Sequence, residues 1–257
     1  MDAATPYKPT LLIKLDDRLS KEDEKIVIDT LESIFRMIEG VSEVTIPRCY
    51  SNESCKYFPP HDHTLQSYII RWEQHNERNG VRGVDVLSLI RDIRRYDYIR
   101  YPINSHHHII VIYPPACDLF CEKILFGMTW PIVTTSFLDK EGVFEAAGVA
   151  VISIGSTKMF YGDNWSTAFH GVAAYALGQL FGLPHYKSPY RKDLYCSYEY
   201  CAMGDIYDEK RLDNILRNNP HLYCKSDLWY LRKNLEYIFG GQYESYLEFI
   251  NRRQYKS

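Results

Sequence analysis

The stretch Tyr175-Ala176-Leu177-Gly178-Gln179-Leu180-Phe181-Gly182-Leu183-Pro184-His185 has the spacing of a metal tripod. Two ligands at i and i+4 share one helix face, a glycine reverses the chain, and a third ligand beyond it closes on the ion; the pattern is H-E-x-x-H-x-x-G-x-x-H. The frame is kept, with Gly178 inside the first pentad, Gly182 at the glycine and His185 at the third histidine. The chemistry is not. Tyr175 and Gln179 stand at the first two ligand positions, and Ala176 stands where a glutamate would act as general base. A phenol with a pKa of about 10 and a neutral amide are poor zinc ligands beside imidazole, and alanine cannot accept a proton. The plainer alternative is a core helix followed by a turn, with His185 a packing or surface histidine.

Downstream lies a second set of donors. Cys196 and Cys201 are followed by Ala202-Met203-Gly204, and further on Cys224-Lys225-Ser226-Asp227 opens a helical pattern. Thiolates at such spacings suit zinc, and they also suit small buried hydrophobes. Together the two segments resemble the archaemetzincin family of metalloproteases, in which the extended histidine motif precedes C-x4-C-x-M and then C-x-x-C. The match runs over roughly residues 109–239, taking in Ile109 to Tyr113, Asp118-Leu119-Phe120, Leu125-Phe126-Gly127 and Gly148 to Ser153. The resemblance implies a structural zinc, one ion, held by Cys196, Cys201 and Cys224, with Met203 as the turn methionine. Asp227 takes the fourth cysteine place; a carboxylate can ligate zinc, and His221 is near enough in sequence to substitute. The chain also departs from the family between Tyr186 and Tyr195, where ten residues separate His185 from Cys196.

Other candidates are weaker. His61-Asp62-His63 reads as a solvated loop. His106-His107-His108 heads a strand, so neighbouring side chains point to opposite faces and cannot easily converge. Cys117 and Cys121, at i and i+4, could share a helix face; packing is the default for them, and a disulfide is the alternative in an oxidising setting. The 22 tyrosines would suit a recognition surface. No phosphate loop, dinucleotide glycine fingerprint or G-x-S-x-G elbow occurs.

The elements that must position these residues follow from apolar periodicity. Leu11 to Leu15 reads as a strand; Ser20 caps a helix with Ile26, Ile28, Leu31, Ile34, Phe35 and Ile38 on its apolar face, ended by Gly40. Val41 to Ile46 reads as a strand, Leu65 to Glu77 and Val84 to Tyr98 as helices, and His107 to Tyr113 and Gly148 to Ile154 as strands. Helix resumes from Ser166 or Thr167 to Leu180, and three more helices follow Asp205. With 257 residues, 46% hydrophobic, and no repeat or linker, one domain over residues 1–257 is the economical reading. The fold class is α/β (α+β), and the resemblance makes it a single metzincin-like domain with a twisted mixed sheet, long helices and a helical C-terminal region.

A net charge of -3 argues against nucleic acid or an anionic membrane as the electrostatic partner. No export signal is read at the N-terminus and the longest apolar stretch is too short for a bilayer, which points to the cytoplasm and reduced or metal-bound thiols. The expected function is that of a catalytically inactive archaemetzincin-like pseudopeptidase that binds a peptide or protein near Tyr175, Gln179 and His185. Two alternatives stand beside it. One is an active zinc peptidase with a rebuilt site, using His185 with His170 or an upstream histidine; the other is a structural or assembly protein.

Overall fold

A computed structural model of the chain describes residues 10–50, 69–73, 77–78, 81–100, 106–118, 123–134, 143–144, 148–183, 201–204, 209–219 and 221–239. His61-Asp62-His63, Cys121, His185 and Cys196 lie outside the described residues.

The sequence lays down three apolar runs that become the centre of a five-stranded sheet: β1 (Thr10–Leu15), β3 (His106–Ile112) and β5 (Val149–Ser153), with β2 (Arg48–Tyr50) and β4 (Gly127–Trp130) outside them. The order is β2-β1-β3-β5-β4. The first four strands in that order are parallel and β4 is antiparallel to β5, so the sheet is mixed. Register pairs Leu11 with His107, Val149 with His108, and Val149 with Trp130. A parallel sheet covered on both faces needs near-continuous hydrophobic strands rather than alternating ones. Here the period of two sorts residues between two cores. Leu11, Ile13, Ile109, Val111, Ala150 and Ile152 join one core, while Ile110, Ile112, Val149 and Val151 join the other.

The first core is covered by α1 (Lys21–Ser42), α4 (Trp165–Leu180) and α6 (Lys225–Phe239); the second by α2 (Val86–Arg100). Further helices among the described residues are α3 (Ile154–Tyr161) and α5 (Glu209–Asn218), residues 69–73 are also helical, and a 3₁₀ turn lies at Gly162–Asn164. A small sheet joins Val84–Asp85, Ala116–Asp118 and Lys123–Leu125 beneath α2. The α/β reading with a twisted mixed sheet and long helices is what the structure shows.

Several boundaries differ from the sequence reading. Helix α1 does not stop at Gly40 but runs to Ser42, where Glu43 turns left-handed at φ 59° and its N–H bonds the Glu39 carbonyl. Val41 to Ile46 is therefore not a strand; Val41 and Ser42 finish the helix, and the strand begins at Arg48. After β5 the chain turns helical at once, at Ile154 rather than Ser166, because the Ser153 hydroxyl accepts from the Ser156 N–H at 2.9 Å and caps α3. Asn164, and neither Ser166 nor Thr167, stands at the cap position of α4, and its side chain makes no capping hydrogen bond. Cys117 lies on a strand, not on a helix. Two helices, α5 and α6, follow Asp205 among the described residues.

At the C-terminal ends of β1 and β3, Asp16 ties the sheet together. It accepts from the Tyr113 N–H at 3.0 Å and from both Arg18 Nε (2.9 Å) and Nη2 (2.8 Å), while Arg18 also pairs with Glu73. Burial works against the Asp16 carboxylate, but the Arg18 guanidinium and the two backbone N–H groups outweigh it and hold its pKa below the usual range. Among the described residues, no helix is long and apolar enough to cross a membrane.

Candidate metal centre

Helix α4 is apolar nearly all round, and it is buried accordingly between the sheet and its helical neighbours. Its end is built by glycine. Gly182 adopts φ +86°, and the N–H groups of Phe181, Gly182 and Leu183 return to the carbonyls of Leu177 (3.0 Å), Gln179 (3.0 Å) and Gly178 (2.8 Å). Gly178 is required for a different reason: a Cβ there would meet Met203 Sδ at 2.4 Å and Tyr223 Cε1 at 3.1 Å. A mid-helix glycine costs about 1 kcal/mol against alanine, and here it admits those two side chains.

Tyr175 and Gln179 share one face of α4, as the spacing predicts. They do not present ligands to an ion. The Gln179 amide nitrogen donates to the Tyr175 hydroxyl at 3.0 Å, so the two side chains satisfy one another. Ala176, between them, is 6% exposed. His170 lies on the same continuous helix, about 140° around from Tyr175 at 100° per residue, and burial pushes its pKa below the ordinary value. These residues do not fit a zinc tripod: a bonded phenol–amide pair and an alanine provide neither imidazole ligands nor a base.

The cysteine segment behaves differently. Cys201, Cys224 and Asp227 come together, each offering one donor atom, and these atoms all lie within 4.8 Å of one another. The Cys201 thiol donates to Asp227 Oδ2 at 2.8 Å, and Cys224 Sγ lies 3.3 Å from the Ser226 hydroxyl. Cys201 and Asp227 are fully buried and Cys224 is 9% exposed. Zinc–sulfur bonds of about 2.3 Å make a tetrahedral edge of about 3.8 Å, so the widest pair would close by no more than about 1 Å and the Cys201–Asp227 pair would open by somewhat less. Two thiols and a carboxylate form a donor set that zinc takes readily, and metal would neutralise what burial makes costly. The residues fit. Of the other sequence candidates, Met203 is buried against Gly178, while His221 is exposed and does not join the three donors. Its backbone N–H instead donates to Asn219 Oδ1 at 3.2 Å.

Local backbone chemistry explains how donors from distant parts of the sequence meet. The Ala202 N–H bonds the Leu222 carbonyl at 2.7 Å, which clasps the Cys201 and Cys224 segments together. Leu222 itself sits at φ +58°, a left-handed conformation costing a branched residue about 1–2 kcal/mol, held by the Leu222 N–H to Asn219 carbonyl bond at 3.0 Å. Cys224 then starts α6, its carbonyl accepting from the Leu228 N–H at 2.9 Å, and this first turn carries Asp227.

Tyr223 was invisible to motif reasoning except as a neighbour of Cys224. Its hydroxyl donates to the Ala174 carbonyl at 2.5 Å, and its ring is almost wholly buried. Burial pushes the phenol's pKa well above its ordinary value, with Cys201 and Asp227 adding to the rise and the Gly178 N–H opposing it. The only sequence signal for it was an aromatic residue beside a candidate ligand.

No protein-family model matches the chain, and no curated protein matches it. Among solved structures it is similar to a zinc-dependent peptidase from Methanocorpusculum labreanum strain Z. The two are 15% identical, with a TM-score of 0.47 over 86% of this chain and 99% of that one. It is also similar to an archaemetzincin from Methanopyrus kandleri, at 15% identity and a TM-score of 0.46 over 92% of this chain and 99% of that one.

Proposed function

We propose that this chain is an archaemetzincin-like pseudopeptidase: a structural zinc protein that binds a peptide or protein and does not hydrolyse it. The observation that carries the reading is the contrast within one core. The donors Cys201, Cys224 and Asp227 converge, whereas Tyr175 and Gln179, at the positions of a catalytic pair, are bonded to each other. A general base contributes roughly 10² to 10⁴ in rate, and Ala176 removes it even before the missing ligands are considered. The structural zinc would be held by Cys201, Cys224 and Asp227, with Cys196 as the further ligand that the sequence motif supplies; its chemistry would be to neutralise and crosslink, not to activate water.

Support for a binding role comes from β4, which lies at one edge of the sheet among the described residues and packs beside α4. An edge strand can accept an extended peptide through main-chain hydrogen bonds, and α4 carries the Tyr175–Gln179 pair. The test is elemental analysis of the purified chain without a histidine tag, alongside a peptide-cleavage assay. About one zinc per chain, lost in Cys201→Ser, with no cleavage, is the expected result. Zinc-dependent cleavage abolished by His185→Ala would overturn the inactive reading, and a second ion retained in Cys201→Ser would point to a rebuilt catalytic centre.

A further inference from the structure

Tyr223 stands between the thiol–carboxylate cluster and the helix face proposed to hold a ligand. It immediately precedes Cys224, its ring edge lies against Gly178, and its hydroxyl holds the Ala174 carbonyl, one residue before Tyr175. Met203, two residues beyond Cys201, presses its sulfur on the same glycine. Two of the three donor residues therefore belong to segments that grip α4 around Gly178, between Tyr175 and Gln179. The third, Asp227, belongs to α6, whose Asn234 amide donates to the Phe181 carbonyl at 2.7 Å at the end of α4.

We propose that metal at Cys201, Cys224 and Asp227 sets the conformation of the last turn of α4 through Tyr223, so that metal loading regulates the Tyr175–Gln179 face. This inference rests on the metal and binding reading above. The cluster residues are joined by an S–H···O bond from Cys201 to Asp227 and a thiol–hydroxyl contact between Cys224 and Ser226. Metal bonds would replace them with fixed geometry and restrict Cys224, hence Tyr223 and the carbonyl it holds. A ligand arriving at a turn already ordered gives up less conformational freedom and binds more tightly. Linkage requires the reverse as well: a ligand on this face tightens metal binding by the same factor.

Amide hydrogen exchange on the full chain, with zinc alone as the probe, tests this. The reporters are the N–H groups of Gly182 and Leu183, which close the last turn onto Gln179 and Gly178. Saturating zinc should slow their exchange by about tenfold, within the usual range of couplings between sites. In Tyr223→Phe, which keeps the ring and removes the bond to Ala174, zinc should still bind while most of that protection disappears. Undiminished protection in Tyr223→Phe, or zinc binding to the unaltered chain with no change at these amides, overturns the inference and leaves the metal reading intact. Failure of the unaltered chain to take up zinc overturns both. Should Tyr223→Phe not fold, Asp227→Asn decides. The zinc concentration giving half-maximal protection at Leu183 should then move by the same factor as the binding midpoint, and independent movement of the two overturns the inference.

Discussion

Single residues in this chain carry charge where the fold can least tolerate its loss. Asp16 is 3% exposed and supports two strand ends and Arg18 at once. Because its partners hold the folded carboxylate below its ordinary pKa, the interaction stabilises the fold above that ordinary value and is lost as pH falls through the lowered one. Glu32 follows the same direction, chiefly through its hydrogen bonds from Arg48, opposed by burial and helped by Tyr50. Urea unfolding between pH 5 and pH 2 should therefore show a falling stability limb. Asp16→Asn should flatten that limb while lowering stability at pH 7 by about 1–3 kcal/mol, the cost of disturbing a buried charged hydrogen bond. A mutant limb as steep as the parent's would mean that Asp16 does not set it.

At the scale of elements, glycines decide where helices stop, and not all glycines do so. Gly182 has φ +86°, and alanine there should cost about 1–2 kcal/mol and lower the melting temperature by a few degrees. Gly40 lies inside α1 with nothing within 4 Å of a built Cβ, so alanine there should gain about 0.5–1 kcal/mol. Differential scanning calorimetry of the two variants checks the opposite signs, and a loss at Gly40 would contradict the account. The same pair explains what the sequence disclosed. Strands β1, β3 and β5 were legible because buried parallel strands are continuous apolar runs. The end of α4 was legible because Gly182 and Pro184 follow an apolar helix. Gly40 misled because composition cannot tell a tolerated glycine from a terminating one, and α3 was missed because its capping Ser153 sits inside the run Gly148 to Ile154 that reads as a strand. The cluster of Cys201, Cys224 and Asp227 was legible by motif. Its attachment to α4 through Tyr223 and Met203 was not, since those contacts span 49 residues for the phenol and leave no local pattern.

For the molecule as a whole, the larger core joins both sites to α1 and the sheet, so metal content should register as global stability. A ligand present at 1,000 times its Kd stabilises by about 4 kcal/mol, which for a chain of this size corresponds to a melting shift of roughly 8–16 °C. Removing zinc with a chelator should produce a fall of that order, reversed by adding zinc, and Cys224→Ser should start near the lower value. A chelator-insensitive melting temperature would show that the thiols serve only as packing.

The burial of Ala176 bears on any attempt to install hydrolysis on this scaffold. Tyr175→His, Ala176→Glu and Gln179→His together would rebuild the i, i+4 ligand pair and its base. They would also bring a carboxylate to a position that the surrounding core leaves 6% exposed, and dissolve the phenol–amide bond that now closes the helix face. In metal-free buffer the triple variant should melt below its parent. With Tyr175 and Gln179 bonded to each other and Ala176 buried, this helix face is closed by its own side chains, so installing a catalytic ion would mean making the core depend on it.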